Sequence, residues 1–210
     1  MTPIFNRIGK KMTQNRWVLV ATILAASMAF IDGTALNVAL PALQADLGAT
    51  GAQLLWINNA YLVFLASLIL FGGSLGDKLG RKRVYMVGIG LLVLASRACG
   101  LAPTINFLLA MRAVQGMGGA LMIPGSLALI TALFEEEERG PAIGTWSGAT
   151  TAVTVVGPLL GGTLAEIGFW RGVFFINIPL GLLALAALHF KVPENRDEDA
   201  ADIDYPGAIL

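Results

Sequence analysis

Apolar residues run in long blocks broken by short charged or Pro/Gly-containing stretches, with no alternation of period two. Six blocks stand out, at 17–40, 53–75, 84–101, 107–134, 142–165 and 173–190. Each is near or above the roughly 20 residues a helix needs to cross a bilayer's hydrocarbon core. Pro41, the stretch 76–83, Pro103, the run 135–140 and the stretch 168–171 separate them, and these are turn signals. The pattern predicts six transmembrane helices. It divides the chain into a basic N-terminal segment (1–16), a six-helix bundle of two three-helix units (17–190) and a linker (191–210).

Orientation follows from the basic residues. Arg7, Lys10, Lys11 and Arg16 precede the first span, and Lys78, Arg81, Lys82 and Arg83 lie between the second and third. Arg139 lies between the fourth and fifth, and Lys191 and Arg196 follow the sixth. The stretches after the first and third spans carry no Lys or Arg, and the one after the fifth has only Arg171. Both termini are expected on the cytoplasmic face of a plasma (inner) membrane. The first span is too long for a secretory signal, contains Asp32 and lacks a convincing cleavage site, so it stays in the protein. The segment before it reads either as an amphipathic surface helix or as a basic leader that only sets topology.

Composition narrows the chemistry. Hydrophobic residues make up 56% of the chain and formal charge balances at zero, which fits a bilayer and gives no reason to expect nucleic acid. One cysteine, Cys99, and one histidine, His189, exclude an internal disulfide and two-histidine zinc motifs. No nucleophile–base pair, metal cluster or phosphate loop is visible, which argues against an enzyme.

Two charges lie deep within the apolar blocks, and a third, Arg97, is near the outer end of its block, where it can snorkel to the interface. Asp32 lies eight positions before Leu40, and Arg112 six positions after Asn106. At about 1.5 Å of rise per residue, both lie about 10 Å inside the same boundary, where a direct or water-bridged pair is possible. An ionisable group at that depth is a functional candidate by default. A carboxylate caught between a cation and a dry surrounding can bind and release a proton. The alternative is a static pair that fixes the packing of two helices. Thr34 and Asn37 add polar groups nearby, each able simply to bond to backbone.

Three glycine-bearing stretches accompany the pair. The stretch Gly73-Ser74-Leu75-Gly76-Asp77-Lys78-Leu79-Gly80-Arg81-Lys82-Arg83 is a tight basic turn. Asp77 sits at a helix C-terminus, against the dipole, so it must be offset by Arg81 or Lys82 or directed at another helix's N-terminus. The fourth span carries Gln115-Gly116-Met117-Gly118-Gly119, and the fifth Gly157-Pro158-Leu159-Leu160-Gly161-Gly162. Such runs imply close packing, and Pro158 a kink, which serves equally as a seal, a hinge or a static seam. Asn37, Trp56, Tyr61, Gln115 and Trp146 are candidates for lining a substrate cavity, although Trp at membrane interfaces commonly faces lipid.

These stretches resemble motifs of the major facilitator superfamily. Residues 73–83 look like its loop between helices 2 and 3, 108–120 like its helix 4 motif with the arginine, and 157–162 like its antiporter motif. The run Asp32-Gly33-Thr34-Ala35-Leu36-Asn37-Val38-Ala39-Leu40-Pro41 looks like the helix 1 motif of its fourteen-helix drug:proton antiporter branch. Residues 56–61 and 169–181 also look like that branch. Val153 stands where the antiporter motif has glycine, and Gly172 where tryptophan is common.

The resemblance implies an all-α membrane fold: six transmembrane helices forming the N-terminal half of such a bundle, with a seventh helix beginning near Ile209. It implies proton-coupled antiport (efflux) of drugs or other small amphipathic compounds. Asp32 and Arg112 would couple protons, and Gly73, Asp77, Gly80, Arg81 and Lys82 would form a gating loop. Gly157, Pro158, Gly161 and Gly162 would shape the seal. It implies no cofactor beyond the proton gradient. The partners would be the lipid bilayer, a small-molecule substrate, protons and a missing C-terminal half or second chain. The alternatives are a truncated half that only associates with other membrane helices, and a transporter of another solute.

Overall fold

The computed structural model describes residues 2–192, with side chains described from Gln14 onward. The predicted linker and the start of a seventh helix, at 193–210, lie outside the described residues. Seven helical elements follow one another: α1 (Thr2–Leu47), α2 (Gly51–Leu79), α3 (Arg81–Gly100), α4 (Ile105–Leu133), α5 (Glu136–Glu166), α6 (Gly172–Phe175) and α7 (Asn177–Lys191). Six stretches are long and apolar enough to cross a membrane, the sixth being α6 and α7 taken together over Gly172–Lys191.

The breaks have local causes. Thr50 caps α2 in a reciprocal box with Gln53, and the Thr104 hydroxyl accepts the Phe107 N–H at the start of α4. Gly80 holds φ at +107°, a value side chains rarely adopt, so α2 ends and α3 begins within one residue. Glu136, Glu137 and Glu138 fill the first turn of α5, where negative charge meets the positive end of the helix dipole.

Two boundaries differ from the sequence reading. Pro41 does not end the first span, because α1 runs through it to Leu47. Proline's fixed φ is compatible with a helix, and only one backbone hydrogen bond is forfeited, at a site where the Pro41 ring is exposed. The basic segment before Arg16 is continuous with the first span, since α1 begins at Thr2.

In the bundle, α4 packs along α2 and α3, while α1 packs along α5 and α7. Two apolar clusters fill its interior. One is built from residues such as Val18, Met28, Tyr85, Ile89, Met122, Leu129 and Leu188, towards the end that carries the basic α2–α3 turn. The other, from Leu36, Leu43, Ile57, Leu108, Trp170 and Phe174, fills the remote end. The buried polar residues Ser96, Arg112, Gln115 and Asn177 fall between the two sets on their helices, and Asp32 lies beside Ile31, the first member of the remote set on α1.

Close helix approach depends on glycine at a few positions. A Cβ on Gly116 would overlap the Tyr61 carbonyl of α2, and one on Gly118 would meet the Leu92 backbone of α3. A Cβ on Gly161 would overlap the Ala35 carbonyl of α1, whereas one on Gly162 would meet only a Val38 methyl at 3.7 Å, ordinary contact. Gly161→Ala is therefore expected to destabilise the bundle by about 1–3 kcal/mol, through backbone that cannot yield. Gly162→Ala should leave stability intact or raise it by up to about 1 kcal/mol. Denaturant unfolding of the two variants in detergent micelles checks this, and equal losses would contradict the seam.

Candidate functional site: a buried charge network

Asp32 and Arg112 meet directly. Each side chain is 1% exposed, and Arg112 Nη1 donates to Asp32 Oδ2 at 2.5 Å. The pair is held by more than its own attraction. Arg112 Nε donates to the Ile57 carbonyl of α2 at 3.0 Å, and Nη1 also donates to Gln115 Oε1 at 2.7 Å, one helical turn on. Gln115 Nε2 in turn donates to Asp32 Oδ1 at 3.1 Å and to Ser96 Oγ of α3 at 2.8 Å. Asn177 Nδ2, at the start of α7, donates to the same Ser96 oxygen at 3.1 Å. The Tyr61 ring lies against the guanidinium, 4.6 Å from centroid to Cζ, and the Phe174 ring lies 6.0 Å away. The cation thus meets aromatic surface, while its Nε and Nη1 groups meet oxygen.

The arrangement follows from the helices. Gly116 lets α2 approach α4 closely enough for Ile57 and Tyr61 to reach the guanidinium, and Gly118 does the same for α3. On the opposite side of α1, a Cβ on Gly157 would collide with Thr34, two residues from Asp32. The Gly157–Gly161 face of α5 thereby seats the segment of α1 that carries the carboxylate. Val153 packs against the cluster at the remote end, and Gly172 is buried where a Cβ would meet Phe169 and Leu164. Pro158 is exposed on the outer face of α5.

The glycine-rich turn forms a separate site. Arg81 Nε donates to Asp77 Oδ1 at 2.8 Å, an ion pair that bridges Gly80, with the Asp77 side chain 45% exposed. This offsets the carboxylate's adverse position at the end of α2. Lys82 Nζ donates to the Val192 carbonyl at the C-terminus of α7 at 2.6 Å, where a cation suits the dipole. Gly72, Gly73, Gly76, Asp77 and Arg81, together with Pro124 of α4, line a cavity of about 210 Å³.

The five residues proposed to line a cavity part company. Tyr61 and Gln115 are buried, at 7% and 0% exposure, and belong to the charge network. Trp146 is half-buried against the apolar cluster of the basic end. Trp56 is exposed on α2. Asn37 is exposed on α1, where its Oδ1 accepts from Asn58 Nδ2 at 2.6 Å. Asn37 and Asn58 form a polar patch on an otherwise apolar face shared by α1 and α2.

Ser96 and Asn58 carried no sequence signal. A third cluster also went unread: Asp46, at the end of α1, accepts from Arg171 and from the Trp170 indole N–H at 3.1 Å. Arg171 stacks on Trp170 at 4.3 Å and donates to the Ala102 carbonyl at 3.2 Å. These contacts tie three chain segments together at the end remote from the basic turn.

Comparison with known proteins decides the family. Residues 22–206 match the family model described as Major Facilitator Superfamily. The chain belongs to the major facilitator superfamily. Among its relatives, the multidrug resistance protein Stp of Mycobacterium tuberculosis is 39% identical over 193 residues, 91% of this chain and 36% of that protein. The tetracenomycin C resistance and export protein of Streptomyces glaucescens is 38% identical over 91% of this chain and 36% of its own length. The methyl viologen resistance protein SmvA of Salmonella typhimurium is 39% identical over 93% of this chain and 40% of its own. The chain therefore spans well under half the length of these superfamily relatives.

Solved structures agree on the fold. The human organic anion transporter MFSD10 (TETRAN) superposes with a TM-score of 0.73 at 17% identity, covering 92% of this chain and 52% of its own. A bacterial homolog of the lysosomal transporter Spinster, inward-facing and unoccupied, gives 0.72 at 23% identity, covering 91% and 46%. The chain is thus a multi-pass membrane protein with the superfamily's helical architecture.

Removing one partner of a buried pair leaves an uncompensated charge, which costs about 3–5 kcal/mol. Arg112→Gln should destabilise the bundle by that order, and Asp32→Asn in the same protein should recover part of the loss. A double-mutant cycle of unfolding free energies checks this, and additive effects would contradict a coupled pair.

Proposed function

We propose that this chain supplies the proton-coupling half of a drug-efflux antiporter, with Asp32 as the proton-carrying group and Arg112 as its counter-ion. The observation that carries this reading is the burial of both charges at 1% exposure within an apolar bundle. A carboxylate kept there at such desolvation cost suits a group that is charged in one step of a cycle and neutral in another. The export and resistance relatives support a small-molecule substrate moved outward.

The remaining parts take roles consistent with that cycle. Residues Gly73, Asp77, Gly80, Arg81 and Lys82 act as the gating loop, because the Asp77–Arg81 pair is half open to solvent and can be exchanged for contacts with a moving partner. The seam of Gly157 and Gly161 fixes α1 beside Asp32, so proton loading and the α1–α5 contact are mechanically linked. Gly162, beside Val38 of α1, extends that seal along α5, while Pro158 stays exposed next to it. Asn37 and Asn58 offer amide contacts to a substrate at the exposed α1–α2 face, with Trp56 nearby on the same helix. The exposed faces of α2 and α5 receive the other half of the transporter, as a C-terminal half or a second chain.

The excess of Lys and Arg at the N-terminus and in the α2–α3 turn supports an orientation in the inner membrane with both chain termini on the cytoplasmic side. The proton gradient supplies the energy, and no cofactor takes part.

Asp32→Asn in the native polypeptide is expected to reduce pH-gradient-driven efflux of methyl viologen, normalised to the amount of protein in the membrane, to background. Efflux from everted vesicles measures it. Retained proton-driven efflux in this variant would remove Asp32 from the mechanism.

A further inference from the structure

Both oxygens of Asp32 face donors. Oδ2 takes Arg112 Nη1, and Oδ1 takes Gln115 Nε2. This suits a carboxylate and leaves a protonated carboxyl with no acceptor for its own O–H. One acceptor in the network is Gln115 Oε1, which accepts from Arg112 Nη1 and from the Cys99 thiol. Gln115 uses both Nε2 hydrogens, one on Asp32 and one on Ser96. Ser96 Oγ receives two N–H donors, from Gln115 and from Asn177. Asn177 Oδ1 is buried without a hydrogen-bond partner.

We propose that Gln115 and Ser96 form a hydrogen-bond switch that reads the protonation of Asp32 and releases Arg112 when the proton arrives. The proposal rests on the reading of Asp32 as the proton site. Protonation forms an O–H bond on Asp32 and takes the pair from zero net charge to plus one. A half-turn of the Gln115 amide then brings Oε1 to the carboxyl O–H and Nε2 towards the guanidinium. Nε2 now opposes Nη1, so Arg112 Nη1 loses its amide acceptor, and the Asp32 Oδ2 it still meets is the carbonyl of a neutral carboxyl rather than an anion. Its Nε contact with Ile57 and its stack on Tyr61 are untouched and become the guanidinium's hold on α2. Ser96 is suited to this because a hydroxyl accepts from Nε2 in one state and donates to Oε1 in the other. Alanine there would serve neither orientation.

The charged and titratable groups facing this site are few. Arg112 comes from α4, Tyr61 from α2 and Cys99 from α3, with Cys99 Sγ 3.8 Å from Gln115 Oε1. Around the site, α5 presents Gly157 and Gly161 to α1, α6 presents Phe174 to Arg112 and α7 presents Asn177 to Ser96, none of which titrates.

Infrared difference spectroscopy of the native polypeptide in lipid, titrated with acid, tests the switch without requiring transport. Asp32→Asn assigns the protonated-carboxyl band, and labelled glutamine with Gln115→Leu assigns the side-chain amide band. The two bands should titrate with one midpoint. Gln115→Leu should move the carboxyl midpoint to higher pH by about one unit, a roughly tenfold change in proton affinity, because a hydrogen bond to a charged group is lost. Ser96→Ala should move it the same way by less, and Ser96→Thr, which keeps the hydroxyl, should not move it. A carboxyl band that titrates with no amide change, or a midpoint indifferent to both Gln115→Leu and Ser96→Ala, would overturn the switch. A spectrum with no band lost in Asp32→Asn would instead overturn the proton-site reading beneath it.

Discussion

A charge pair inside an apolar bundle is the constraint around which this protein is organised. Neither Asp32 nor Arg112 reaches water, so each must find its solvation in the other and in fixed dipoles. The protein meets that need from five directions. It uses the Ile57 carbonyl, the Gln115 amide, Ser96 behind that amide, and the Tyr61 and Phe174 rings. Such a network is stable only while every member stays in register. A change at one atom, such as arrival of a proton, then forces several others to move.

Register in turn depends on backbone proximity. Hydrophobic side chains provide no drive for helices to associate in lipid, so close packing must come from small residues that let backbones touch. Gly116 and Gly118 bring α2 and α3 onto α4, and Gly157 and Gly161 bring α5 onto α1. The glycine stretches and the buried charges are therefore parts of one device. The apolar clusters on either side keep water away from it and hold the helices at fixed depth.

Much of this was legible in the sequence because lipid is an unforgiving solvent. Six apolar runs of sufficient length leave little choice of fold, and a rise of about 1.5 Å per residue was enough to put Asp32 and Arg112 at one depth. Small polar residues were harder to read. Ser27 and Thr34 bond only to their own helix, whereas Ser96 bonds across three helices, and nothing in the sequence separates these cases. Gln115 was visible as a polar residue one turn from Arg112, but its face was not, and it lies in the network rather than on an open cavity wall. Pro41 misled because an exposed proline can ride within a helix that tertiary contacts support on both sides. The Asp46–Arg171 tie joins residues far apart in sequence and depends on how the α5–α6 turn folds back.

In the proposed cycle, Asp32 carries a proton in exchange for substrate. The most direct test is proton movement itself, followed with a pH-sensitive dye inside lipid vesicles that contain the native polypeptide. An outward gradient of a probe compound, methyl viologen, for which the SmvA relative is named, is imposed with no initial pH difference. The account predicts that protons enter as the substrate leaves, acidifying the interior. Substrate efflux with no change in internal pH would contradict it.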